Sequence, residues 1–99
     1  MNSKLAKTIV LPQNSEQSEH LDDVFKRLYD TIEYGTRNCD IVLDFSSVEA
    51  LSPQGLFLLP TFDSLAQESG HRLILKSVPS NIKALLANMS SDSQFYFAA

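Results

Sequence analysis

Ninety-nine residues make a single domain, residues 1–99, with no room for a second, and a chain this long buries roughly 65% of its unfolded surface without needing a metal or disulfide. The apolar share of 43% is that of an ordinary globule, and the net charge of −4 argues against nucleic acid or an anionic membrane as the main partner. The single cysteine, Cys39, excludes an internal disulfide and fits a reducing, cytoplasmic setting.

No run approaches the roughly 20 apolar residues of a spanning helix. The leading MNSKLAKTIV lacks the apolar stretch of a secretion signal. Any membrane link is therefore expected to go through a partner, not through direct insertion. No internal repeat or linker is visible.

Ala6 to Leu11 reads as a short strand that ends at Pro12. A polar stretch follows, in which Asn14 or Ser15 can cap a helix and Asn14 to Gln17 has capping-box spacing. Leu21, Val24, Phe25, Leu28 and Ile32 then recur as one apolar stripe of an amphipathic helix. Asp22, Asp23, Lys26, Arg27 and Asp30 cover the other face, and Gly35 is expected to close the helix as its C′ residue.

Ile41 to Phe45 is the central strand. Its continuous Ile-Val-Leu run fits a strand buried on both faces in a parallel or mixed sheet. A loop through Val48 and Leu51 leads to Ser52-Pro53, a good N-cap followed by a good first helical residue. The second helix is predicted from Pro53 to Ser69, stopping at Gly70. Gly55, Leu58, Leu59, Phe62, Leu65 and Ala66 share one side of it, and Phe57, Pro60 and Ser64 fall nearly opposite. An interior proline removes a hydrogen bond and kinks a helix, so Pro60 is expected to tilt the first turn. Phe57 beside Leu56 and Pro60 then forms either a small apolar patch facing water or a plug for a local pocket.

Arg72 to Val78 is the third strand. Pro79 opens a third helix with Ile82, Leu85, Leu86 and Met89 as its stripe. Ser90 to Ser93 is a polar loop. Gln94 to Ala98 is a last strand, with Phe95 and Phe97 on one face and Tyr96 on the other. The order β-α-β-α-β-α-β predicts an α/β domain: a mixed or mostly parallel four-stranded sheet with three main helices packed on it and right-handed crossovers.

Three blocks carry a family resemblance: Ile41-Val42-Leu43-Asp44-Phe45-Ser46-Ser47-Val48, then Leu51-Ser52-Pro53-Gln54-Gly55-Leu56, then Gly70-His71-Arg72-Leu73-Ile74-Leu75. In this order they resemble the STAS domain, found in bacterial anti-sigma-factor antagonists and in sulfate-transporter tails. Pro79 to Met89 looks like that family's last helix, and the likeness runs from about Ile9 to Phe97. It implies a bacterial signalling or regulatory module that acts by protein–protein interaction.

Two departures stand out. Where phosphorylated members carry Asp-Ser, this chain has Ser52-Pro53, and proline has no hydroxyl to accept a phosphoryl group. One strand precedes the first helix, where many members have two. The chain therefore resembles a compact variant without the usual phospho-acceptor, similar to the STAS subunits that bind an ATPase in bacterial phospholipid transport and to small STAS proteins of signalling operons.

The residues themselves supply no catalytic set and call for no cofactor. His20 and His71 lack a second histidine or cysteine at ligand spacing, so no metal site is expected. Asp44 lacks the acidic neighbours of a metal-dependent phospho-acceptor and is expected to accept backbone N–H bonds in its own loop. Ser46 and Ser47 read as turn formers.

The expectation is a non-enzymatic module that docks a protein partner through Ser52, Pro53, Gln54, Leu56, Phe57, Pro60 and Ser64. That partner is an anti-sigma or kinase-type regulator, a signalling protein or a transporter ATPase. The alternatives are a phosphorylation switch at Ser52, Ser46 or Ser47, and a small-ligand carrier. Pairing of the chain with itself stays open.

Overall fold

The computed structural model describes residues 6–35, 39–89 and 95–99. Strand β1 (Ala6–Val10), helix α1 (Ser18–Tyr34), β2 (Asp40–Asp44), α2 (Pro53–Glu68), β3 (Arg72–Lys76), α3 (Ser80–Met89) and β4 (Tyr96–Ala98) follow one another along the chain. The strands lie side by side in sequence order, and every neighbouring pair is parallel. The sheet is thus wholly parallel among the described residues. The polar loop read at Ser90 to Ser93, and Gln94, lie outside the described residues, as does the side chain of Met89.

This order has a geometric consequence. Each crossover steps one strand in the same direction, and right-handed crossovers then put all three helices on one face. Burial follows that rule. Ile9, Ile41, Leu43, Leu73 and Leu75 point to the helices and are buried. The α1 stripe of Leu21, Val24, Phe25, Leu28 and Ile32 is buried against them, as are Leu59, Phe62 and Ala66 of α2 and Ile82 and Leu86 of α3. Phe25 and Phe62 stack with ring centroids 5.1 Å apart, which locks α1 to α2.

The expectation that β2 is buried on both faces is corrected here. Its Ile41 and Leu43 side is sealed by helices, but Val42, in the middle of the other face, is only half-buried. An apolar run cannot distinguish a face that is covered from one that awaits a cover.

Element ends differ from expectation for local reasons. Helix α1 starts at Ser18, not at an Asn14 or Ser15 cap, and its N-cap Gln17 makes no side-chain cap bond. Ser15 is buried instead, its hydroxyl donating to the Pro12 carbonyl. Gly35 is the C-cap in an extended conformation, not a left-handed C′ residue. A side chain there would run into the Thr31 carbonyl, which accepts the Gly35 N–H.

β3 stops at Lys76 because Ser77 turns to φ 58°. α3 begins at Ser80, with the Pro79 carbonyl accepting from Lys83 N at 2.9 Å. α2 ends as its glycine forecast. Gly70 takes φ 81°, its N–H reaches Gln67 O at 3.1 Å, and His71 N reaches Ala66 O at 2.8 Å, the paired bonds of a Schellman stop. The helix runs unbroken through Pro60. As expected for β4, Phe95 and Phe97 share the helix side while Tyr96 points away.

Candidate functional site: the loop before α2 and its exposed stripe

The carboxyl edge of β2 feeds a tight loop. Asp44 Oδ1 accepts from Ser46 N at 2.9 Å, an Asx turn. This backbone bond, then a bond from the Ser46 side chain, and then the nearby Lys76 charge hold the Asp44 carboxyl below its ordinary range. Val48 N bonds Phe45 O at 2.9 Å, and the Val48 side chain enters the core. Ser46 and Ser47 are left exposed on the outside of the turn. At the far end Ser52 N donates to Ser15 O at 3.0 Å, so the segment after β1 pins the loop. Asn81 Nδ2 adds a contact to Glu49 O at 3.3 Å from the start of α3.

Ser52 then caps α2. Its backbone is extended, its Oγ accepts from Gly55 N at 3.0 Å, and Pro53 occupies the first helical position. Gly55 faces α1 so closely that a Cβ would lie 2.8 Å from Leu21 Cδ1 and 3.2 Å from Ser52 Oγ. The glycine is there for approach, not for backbone freedom. Cap and glycine together press the inner side of the first turn against α1.

The outer side is what remains accessible. Pro53 and Gln54 are exposed, Leu56 and Pro60 are half-buried, and Ser64 is exposed two turns on. Phe57 is 72% exposed, which decides between patch and plug: the ring stands in solvent. Residues 53, 57, 60 and 64 recur at i, i+4, i+7 and i+11 and form one stripe. No ionisable group lies on it. By contrast, the exposed positions of α1 include Glu19, Asp22, Asp23, Lys26, Arg27, Asp30 and Glu33. Of the expected contact residues only Ser52 is withheld from the surface, at 2% exposure.

Three features escaped sequence reasoning. Asp63 on α2 is 1% exposed, and its Oδ1 has no hydrogen-bond partner. Burial pushes its carboxyl up, against a smaller downward pull from the Gln67 amide, which donates to Oδ2 at 3.0 Å. An aspartate in an amphipathic pattern carries no mark of its burial. His71 is buried as well, with Nδ1 2.9 Å from Cys39 O and Nε2 3.3 Å from Ile32 O, joining the end of α1 to the start of β2. Beside it a cavity of about 530 Å³, lined by Glu33, Gly35, Glu68 and Gly70 among others, opens at the sheet's amino edge, away from the loop. Arg72 bonds Asp40 Oδ2 at 2.9 Å and stacks over Tyr96 at 5.3 Å on the open sheet face, a contact that only the strand register reveals.

Among the described residues no group of three or more His, Cys, Asp or Glu side chains is placed to hold a metal ion, and no helix is long and apolar enough to cross a membrane. The chain matches no known family model and no curated protein.

Proposed function

We propose that this domain is a STAS-like, non-enzymatic interaction module that binds a protein partner through the exposed stripe of α2 and the loop before it. One observation carries the reading: Phe57 stands 72% exposed on a helix face without charge. Aromatic residues are enriched, and charged ones depleted, at the centres of protein interfaces. Removing most of this ring from water stabilises a complex by about 2 kcal/mol, the weight of an interface anchor. Pro53, Gln54, Leu56, Pro60 and Ser64 surround it, and Ser52 supports the surface from beneath as the cap. The partner classes that fit the resemblance are a kinase-type anti-sigma regulator, another signalling protein or a transporter ATPase.

Phosphorylation at Ser52 is disfavoured physically. The side chain is buried, its oxygen already serves Gly55 N–H, and a kinase would have to open the cap. Ser46 and Ser47 are exposed and stay available to that alternative.

A photo-reactive phenylalanine analogue at position 57 tests the reading in cells of the source organism. A discrete adduct to one other protein, absent when the analogue sits at exposed Leu85, supports it. Adducts of the same pattern from both positions refute it. Phosphopeptide mass spectrometry on the same material separates the switch from constitutive docking.

A further inference from the structure

The helix-free face of the sheet is organised by charge. In register across it run three rows: Ala6–Asp40–Arg72, then Thr8–Val42–Ile74–Tyr96, then Val10–Asp44–Lys76–Ala98. β2 thus carries an acid at each end of this face, and β3 carries a base opposite each acid. The row between is apolar apart from Thr8, with Val42 and Ile74 half-buried and Tyr96 48% exposed. Val10 adds a 53% exposed aliphatic group beside it. Wholly parallel sheets are almost always covered on both faces, and among the described residues this one is covered on one.

We infer that the open face is the interface of a homodimer, with a second copy of this chain as its cover. The charge pattern selects the geometry. Take a two-fold axis parallel to the strands, midway between β2 and β3. It lays β2 of one protomer over β3 of its partner without changing position along the strand. Asp44 then meets the partner's Lys76, and Lys76 meets the partner's Asp44. Val42 and Ile74 meet in the same way, and Thr8 meets the partner's Tyr96. The Asp40–Arg72 pairs join across the interface as a four-charge cluster. The surface is self-complementary, as a two-fold interface requires. Two sheets stacked this way sit roughly 10 Å apart with strands within about 30° of alignment.

The face is small. Four strands at about 4.8 Å spacing and five residues at about 3.3 Å span roughly 19 by 17 Å. Stable dimers usually bury about 800 Å² per partner, so the dimer is a weak one that dissociates on dilution and in salt. In this arrangement both Phe57 stripes face outward, which leaves the proposed docking surface free and makes the assembly bivalent. The inference does not rest on that proposal.

Sedimentation equilibrium across a concentration series, at low and high salt, tests it. The unmodified chain is expected to dimerise, and more weakly in high salt. Lys76→Glu makes the row at 44 and 76 wholly acidic, and Asp44→Lys makes that row wholly basic, while the Asp40–Arg72 row is unchanged in both. Each alone is expected to dimerise about tenfold more weakly, with two contacts turned repulsive. An equimolar mixture of the two is expected to restore association, because every cross contact is again opposite in sign. If Asp44→Lys disturbs its loop and fails to fold, Tyr96→Glu replaces it as a single disruptor, expected to abolish the dimer. A monomer at every concentration overturns the inference, and so does a dimer that Lys76→Glu and Tyr96→Glu leave intact. A dimer lost in Phe57→Asp places the second copy on α2 instead and also overturns it.

Discussion

Asp63 gives the sharpest test of how this core is balanced. Its carboxylate is buried on α2 with one oxygen unpaired and the other held only by Gln67. A buried polar group without a partner costs about 1–3 kcal/mol and more when it is charged, so the charge on Asp63, eased by the Gln67 bond, adds about 1 kcal/mol over a neutral amide in the same place. Asp63→Asn keeps the shape and the acceptor but removes the charge. The pH dependence follows from the upward shift of this carboxyl. Between the unfolded value near 3.9 and the raised folded value, the folded chain holds the proton that the unfolded chain has released. Stability therefore falls as pH rises through that window, and the loss is complete above it. The variant lacks this term. Thermal melts at acid and neutral pH are expected to show Asp63→Asn about 1 kcal/mol more stable at neutral pH, a midpoint shift of roughly 5 °C. The difference is expected to close below the unfolded pKa. All other carboxylates are common to both proteins, so the difference isolates this one. A constant difference at both pH values, or a less stable Asn variant at neutral pH, refutes the reasoning.

Substitutions at three further positions probe the corner that presents the docking stripe and the turn that ends β3. Ser52→Ala strips the cap from Gly55 N–H and is expected to cost about 1–2 kcal/mol in urea unfolding. Gly55→Ala gains about 1 kcal/mol of helix propensity but forces Leu21 Cδ1 away from a 2.8 Å contact. Overpacking of this kind costs about 1–3 kcal/mol, so a net loss of about 1 kcal/mol is expected by the same measurement. Ser77 sits at φ 58°, where a β-branched side chain is strained. Ser77→Val is expected to destabilise by about 2 kcal/mol while Ser77→Gly stays near neutral, read from paired thermal melts.

Much of this architecture was legible from residue type and spacing. The stripe from Leu21 to Ile32, the Ser52-Pro53 opening of α2 and the Gly70 stop each rest on interactions within a few residues, where local rules decide. What escaped depends on partners distant in the chain. Ser15 looked like a helix cap but serves the Pro12 carbonyl and, through its backbone, Ser52. Gly35 looked like a left-handed stop, yet its reason is the nearness of the Thr31 carbonyl. Ser77 carries no sign of a positive φ, so β3 looked longer than it is. Val42 was read as buried on composition alone; the one-sided winding of the helices leaves its face open. At the candidate site the spacing placed Phe57, Pro60 and Ser64 together, but whether the ring stood in water depended on how closely Gly55 approaches α1.

The central claim, that the charge-free stripe of α2 is a docking surface, is tested most directly by comparing copurifying proteins for three baits. These are the unmodified chain, Phe57→Asp, and Tyr34→Asp, which alters another exposed aromatic residue at the end of α1. Each is melted in parallel. The account expects one protein to be retained by the unmodified and Tyr34→Asp baits and lost from Phe57→Asp, with the Phe57→Asp midpoint within a few degrees of the unmodified one. Equal retention by all three baits, or loss that accompanies unfolding of the Phe57→Asp chain, contradicts it.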